Sequence, residues 1–205
     1  MLPFTRRVVC RRRDISRAIY TLAKQEPPKS APRIAPYPLV WVSTTDWDPH
    51  SRLNPHVFPH FLKQGFTCLH ADISTPKTPL DAPALMRYYE SELKAALDEE
   101  HAGAAPVIFA SGLATLVAQT YISSHPAMAM ALFSPPARIS DVSFATGELS
   151  EFNYEPKFPI ALVGSSEGMA QHRLGQDPYV DRFAFEADSS EVVTALSEWM
   201  DECGI

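Results

Sequence analysis

A serine among small residues is the first candidate for chemistry in this sequence. Ser111 lies in the run Ala-Ser-Gly-Leu-Ala at 110–114, after the β-rich segment 107–109 and before apolar residues of helical period. A sharp strand-to-helix turn can present a nucleophilic side chain to a carbonyl carbon. A hydroxyl nucleophile also needs a histidine base, an acid that orients the histidine, and amides that stabilise the oxyanion.

The strand, turn, helix and strand between 106 and 136 resemble the nucleophile elbow of the α/β-hydrolase family. That family has small-x-Ser-x-small at the turn, because bulky flanking residues would clash there. With alanines as the two small flanks, the central residue is Gly112. A central Ser111 would instead place Phe109 and Leu113 at the flanks. The resemblance therefore implies an elbow that keeps its turn at Gly112 and lacks its nucleophile.

The other catalytic positions that the resemblance implies are also incomplete. The family acid follows the penultimate strand, where Glu167 stands in the run Gly-Ser-Ser-Glu, although Glu167 is equally well an ordinary polar residue there. The family histidine follows the last strand, but the last histidine, His172, precedes that strand. The loop 43–47 reads Ser-Thr-Thr-Asp-Trp in place of the family's His-Gly pair. We therefore expect no catalytic residues, only a degenerate elbow.

Three functions remain open from the sequence. The leading hypothesis is a non-catalytic protein with a structural, assembly or binding role and a protein partner or complex. The first alternative is a serine esterase or thioesterase that uses Ser111 with Glu167 and an out-of-order histidine, His172 or His70. The second is a small-molecule-binding pseudo-hydrolase, which needs more cover over the site than this sequence offers.

No cofactor or metal is expected. The sequence contains no dinucleotide or Walker fingerprint. His56 and His60 have the i, i+4 spacing of zinc ligands, but neither a glutamate nor a third ligand is placed to join them. A surface or capping role is the simpler interpretation of this pair.

The elements that must position these residues alternate along the chain. Apolar runs predict strands and helical periods predict helices, in this order: strand 39–43, helix 56–64, strand 66–72, helix 84–100, strand 107–109, helix 113–125, strand 127–133, strand 159–164, strand 182–185 and helix 191–202. This alternation predicts an α/β three-layer sandwich with a mostly parallel sheet. Because only residues 134–158 separate two strands where the family often inserts a cap, we expect the cap to be missing or vestigial.

Charge divides the chain near residue 33. Residues 1–33 contain nine Lys or Arg and two acids, which leaves nine bases and 22 acids in the rest. An arginine-rich, acid-poor start, with Ile15, Ile19 and Leu22 on one helical face, is typical of a mitochondrial presequence. The alternative is a basic tail or an arm that binds an acidic partner.

The prolines at 27, 28, 32, 36 and 38 predict an extended linker after this segment. We therefore expect residues 1–33 to be a targeting segment with its linker, and residues 34–205 to be an α/β-hydrolase-like domain in the mitochondrial matrix. The acidic body argues against binding of nucleic acid. Three cysteines at unrelated spacings suit a reducing compartment, and no apolar run approaches the ~20 residues of a membrane span.

Overall fold

The computed structural model describes residues 20–100, 104–185 and 189–205 in full, and residues 7–9 as backbone. The described residues form one eight-stranded sheet, with strands β1 (Arg7–Val9), β2 (Tyr20–Gln25), β3 (Leu39–Ser43), β4 (Cys68–Ile73), β5 (Val107–Ser111), β6 (Ala129–Phe133), β7 (Ile160–Val163) and β8 (Val180–Phe183). Their order is β1-β2-β4-β3-β5-β6-β7-β8. β2 is antiparallel to both neighbours, and the strands from β4 to β8 are parallel.

Helices cover both faces of this sheet. Within the described residues they are α1 (Val57–Gln64), α2 (Ala82–Glu99), α3 (Ala114–Ile122), α4 (Ser166–Gln171) and α5 (Ser190–Glu202). α2 and α3 pack on one face, and α1 and α5 pack on the other. The inner strands are buried along their whole length, which explains their continuous apolar runs. The predicted three-layer sandwich with a mostly parallel sheet is confirmed.

The segment between β6 and β7 is short and irregular. Residues 134–159 are all described, and the 3-10 turn Ile139–Asp141 is their one regular element. Apolar side chains of the segment pack against the core shared by α2 and α3; its aromatic members are Phe144, Phe152, Tyr154 and Phe158. The segment lies against the body of the molecule and forms no cap domain, as the sequence predicts.

The second strand lies firmly inside the sheet. All six residues of β2 pair with β4, and Leu22 is 3% exposed. The Tyr20 hydroxyl donates to a carboxylate oxygen of Glu99 at 2.6 Å. The Lys24 ammonium lies 3.3 Å from a carboxylate oxygen of Glu100. The end of α2 thus binds β2 at two points.

The position of β2 corrects one expectation from the sequence. The sheet begins earlier in the chain than the predicted domain start at residue 34. Leu22, expected on a helical face with Ile15 and Ile19, lies in the strand β2 (Tyr20–Gln25) instead. Ile15 and Ile19 lie outside the described residues. Among the described helices, none is long and apolar enough to span a bilayer.

Candidate functional site

The turn between β5 and α3 lies at the carboxyl edge of the parallel strands. β5 ends at Ser111 and α3 begins at Ala114. Between them Gly112 has a φ of 57°, a left-handed conformation that glycine adopts without steric penalty. Its N–H donates to the carbonyl of Phe133 at 3.0 Å, and the Thr115 hydroxyl donates to the Gly112 carbonyl at 2.6 Å. The sharp turn is therefore centred on Gly112.

Ser111 belongs to the strand and not to the tip of the turn. It is 7% exposed. Because side chains alternate along a strand, Ser111 lies on the same face as Phe109, which packs in the core beneath α1 and α5. The structure thus places the only hydroxyl of this run on the sheet face and not at the turn.

The carboxylate of Asp48 fills the space beside Gly112. A Cβ added to Gly112 would collide with Oδ2 of Asp48 and lie 3.3 Å from its Cγ. The N–H of Leu113 donates to Oδ2 at 2.7 Å, and the N–H of His50 donates to Oδ1 at 2.9 Å. Asp48 is 7% exposed. A buried carboxylate with both oxygens bound therefore stands where a side chain of residue 112 would project.

Hydrogen bonds centred on Ser51 hold Asp48 in this position. The Ser51 hydroxyl donates to the Asp48 carbonyl at 2.7 Å and accepts from the N–H of Thr44 at 2.9 Å. The Asp48 N–H donates to the Thr44 carbonyl at 2.8 Å. The Trp41 indole N–H donates to the Ser51 carbonyl at 3.2 Å, which ties the 3-10 turn Pro49–Ser51 to β3.

The rest of this loop is anchored on two further sides. The Trp47 ring stacks on Tyr89 of α2, with centroids 5.5 Å apart and planes at 17°, and also contacts Phe144. Thr45 donates from its N–H and its hydroxyl to the two carboxylate oxygens of Asp72, at 3.0 and 2.6 Å. The loop after β3 is thereby fixed to β4, α2 and the 134–158 segment.

Comparison with known proteins gives a fold and no family. The sequence matches no protein-family model and no curated protein. An esterase of Pyrococcus furiosus is 14% identical over 98% of this chain and 91% of that chain, with a TM-score of 0.61. Esterase 2 of Thermogutta terrifontis, in a structure phosphorylated by paraoxon, is 12% identical over 97% and 94%, with a TM-score of 0.61. MGS-M1, an α/β hydrolase from a Medee basin deep-sea metagenome library, is 11% identical over 98% of each chain, with a TM-score of 0.59. The chain has the α/β-hydrolase fold.

In an α/β hydrolase the amide after the nucleophile helps to form the oxyanion hole. The corresponding amide here is that of Leu113, and it already donates to Asp48. Asp48 comes from the loop after β3, where the resemblance stated in the sequence analysis implies the counterpart of the family's His-Gly loop. This loop brings a carboxylate to the turn at Gly112.

Glu167 lies after β7, where the fold has its acid. It is exposed on the six-residue helix α4, and its Oε1 lies 3.5 Å from Nε2 of Gln171. After β8, residues 186–188 lie outside the described part of the chain, and their sequence, Glu-Ala-Asp, contains no histidine.

His172 has a structural role at the start of a 3-10 turn. Its Nδ1 accepts from the N–H of Leu174 at 3.2 Å, and the residue is buried. Burial, assisted by the positive charge of Arg173, lowers the pKa of His172 to about 4. Because Nδ1 accepts, the neutral ring carries its proton on Nε2, and the imidazole serves as the cap of its own turn.

His70 on β4 interacts with a different serine. Its Nε2 lies 2.9 Å from Oγ of Ser43. Because the Ser43 hydroxyl donates to the Ser51 carbonyl at 2.8 Å, we assign the proton to Nε2, which then donates to Ser43. Ser43 itself is fully buried. The pair therefore supports the loop after β3 and does not present an activated hydroxyl.

His56, the N-cap residue of α1, and His60 within α1 line a groove against α5. The groove has a volume of about 400 Å³ and is also lined by Lys63 and Glu191. Nε2 of His60 lies 3.0 Å from the side-chain amide nitrogen of Gln64, so it acts as acceptor, and burial lowers the pKa of His60. Across the described residues, no three His, Cys, Asp or Glu side chains are grouped as metal ligands.

Asp48 is the site residue that sequence reasoning did not find. An aspartate directly before Pro49 is a recognisable capping residue, and it does cap the 3-10 turn. Its second contact, with the amide of Leu113, joins residues 65 positions apart. No local pattern reports such a contact.

Proposed function

We propose that this protein is a non-catalytic member of the α/β-hydrolase fold with a structural, assembly or binding role. The observation that carries the proposal is the occupied elbow: Gly112 offers no nucleophilic atom, and the carboxylate of Asp48 fills the adjoining space. Acyl transfer requires an attacking atom and a free donor for the oxyanion. Asp48 takes the Leu113 amide, and its negative charge opposes a second anion there.

The surroundings of the candidate residues support the same proposal. Ser111 is a buried strand residue, Glu167 is exposed on α4, and His172 is neutral and caps a turn. Triad catalysis needs a serine, a histidine and an acid within hydrogen-bond reach of one another. The His172 ring instead caps its own turn, and the Glu167 carboxylate lies near Gln171 of the same helix.

A serine esterase or thioesterase that uses Ser111, Glu167 and His172 or His70 is the second candidate. The observation in its favour is the fold, which the chain shares with esterases. A fold carries many functions, and the chemistry depends on the site. The occupied elbow supports the non-catalytic function more directly. A small-molecule-binding role would require Asp48 to leave the elbow or a ligand to bind elsewhere.

Turnover of activated acyl substrates separates these functions. We expect purified full-length protein to hydrolyse a short p-nitrophenyl ester and an acyl thioester no faster than the heat-denatured protein does. The matched control is Ser111→Ala, which should give the same rates as the wild type. Hydrolysis by the wild type that is lost in Ser111→Ala would overturn the non-catalytic proposal and favour the esterase.

We also propose import into the mitochondrial matrix and a protein partner there. The support is compositional, because residues 1–19 contain six arginines and a single acid. Residues 1–19 fused to a fluorescent protein should direct it to mitochondria, whereas the same segment with all arginines changed to glutamine should not. Cytosolic fluorescence of the first fusion would remove the localisation proposal. Mass spectrometry of the proteins that co-purify with the full-length protein from mitochondria under mild detergent would then identify partners.

A further inference from the structure

Parts of the proposed targeting segment are strands of the sheet. β1 pairs antiparallel with β2 in the register Arg7 to Lys24, Val8 to Ala23 and Val9 to Leu22. Leu22, a member of the apolar face predicted for a targeting helix, is 3% exposed in the core instead. A strand and a helix have different backbone dihedral angles, so the same residues cannot form both at once. Folding of the sheet and presentation of a targeting helix are therefore alternative states of one segment.

The two strands of this segment are held with different strength. β2 pairs with β4 along all six of its residues, and it is also bound to the end of α2 through Tyr20 and Lys24. β1 has three residues, lies at the end of the described sheet, and pairs only with β2 there. Local opening concentrates at such weakly connected chain ends. β1 can therefore detach while β2 and the rest of the sheet stay folded.

Charge at this edge of the sheet favours the paired state. The Lys24 ammonium lies 3.5 Å from a carboxylate oxygen of Glu26 and 3.3 Å from one of Glu100. Two carboxylates and one ammonium leave a net negative charge at the position opposite Arg7 in the register. Opposite charges at paired positions of two strands stabilise the pair. The basic character that suits targeting therefore also suits pairing with β2.

We propose that pairing of β1 with β2 prevents recognition of the targeting segment, so that the unfolded chain is directed to mitochondria and the folded chain is not. This inference rests on the proposed mitochondrial import and adds its regulation. A chain that folds before it reaches the organelle withdraws its own signal into the sheet. Detachment of β1 restores the signal without unfolding of the domain.

Association of purified full-length protein with isolated mitochondria tests the inference. The double variant Val8→Ala/Val9→Ala lowers the strand propensity of β1 and raises its helix propensity. The folded double variant should associate roughly fivefold more than the folded wild type. Thr21→Ala, a matched control at an exposed position of β2, should associate as little as the wild type. Wild type diluted from urea directly onto mitochondria should associate as much as the double variant.

Hydrogen exchange read by mass spectrometry tests the pairing without mitochondria. The peptide that contains residues 7–9 should exchange more slowly in the wild type than in the double variant, whereas the β4 peptide should exchange equally in both. Exchange of residues 7–9 in the wild type at the rate of the urea-unfolded chain would overturn the inference. Equal association of the folded wild type and the folded double variant with mitochondria would overturn it as well.

Fusions of residues 1–19 to a fluorescent protein separate this inference from the proposed import. The fusion with the natural sequence and the fusion with Val8→Ala/Val9→Ala should reach mitochondria equally, because neither contains β2. If neither fusion reaches mitochondria, the import proposal is wrong and this inference falls with it. If both fusions do, and folded full-length wild type associates as well as the double variant, only this inference is wrong.

Discussion

Residue 112 combines two constraints that a larger side chain would violate. Its φ of 57° is strained for any residue with a Cβ, and that Cβ would displace the Asp48 carboxylate. We therefore expect Gly112→Ala to lower the free energy of unfolding by roughly 1–3 kcal/mol, measured by urea denaturation. Gly204→Ala is the matched control, because Gly204 has a φ of 75° and open space within 4 Å of its added Cβ. Equal losses in the two variants would show that Asp48 does not crowd residue 112.

His172 makes stability depend on pH. Its folded pKa of about 4 lies below the ordinary value of 6.5, because burial opposes the charged form. The unfolded chain therefore binds the proton first as pH falls, so stability is lost between about pH 6.5 and 4. The full loss is on the order of 2–4 kcal/mol.

The non-titrating variant His172→Asn isolates this effect. Asparagine can still accept the N–H of Leu174, so the turn keeps a cap. Urea unfolding at pH 7 and at pH 4.5 should show a smaller loss of stability for His172→Asn than for the wild type. Identical pH dependence of the two proteins would mean that His172 is not a buried neutral group.

At the scale of elements, β2 is expected to be part of the folding unit. Leu22 is 3% exposed in the core beneath α2, so Leu22→Ala should lower the free energy of unfolding by about 2–4 kcal/mol. The neighbouring Thr21→Ala, an exposed position on the same strand, should change it little.

Deletion of residues 1–30 should likewise destabilise the domain more than deletion of residues 1–19. A fully stable 31–205 fragment would show that β2 is dispensable.

The inner elements could be predicted from sequence because their patterns are local. β3, β5, β6 and β7 are continuous apolar runs, as strands covered on both faces must be. β2 gives no such signal: Leu22 and Ala23 are both buried, one toward each face, with an exposed Thr21 before them. The arginine-rich segment before β2 added to this ambiguity and favoured a helix. Tertiary pairing with β4 decides the conformation of β2.

At the scale of the whole molecule, one part of the site could be predicted from local sequence and another part depends on tertiary structure. The turn at Gly112 could be placed from the small residues around it, because the steric requirement is local. The position of Asp48 beside this turn could not be predicted, because Asp48 reaches Leu113 only when β3 and β5 pair in the sheet. The short segment in place of a cap and the elbow filled by Asp48 support the proposed non-catalytic role.

Covalent labelling most directly tests the central claim that this protein has no activated serine. Intact-mass spectrometry after treatment with a fluorophosphonate probe reports any activated serine, whatever the natural substrate. We expect no adduct on the wild type or on Gly112→Ser above the heat-denatured controls. The new hydroxyl in Gly112→Ser would meet the Asp48 carboxylate and would have no histidine as its base. A wild-type adduct that is lost in Ser111→Ala would contradict the claim, and an adduct confined to Gly112→Ser would show that Asp48 does not close the elbow.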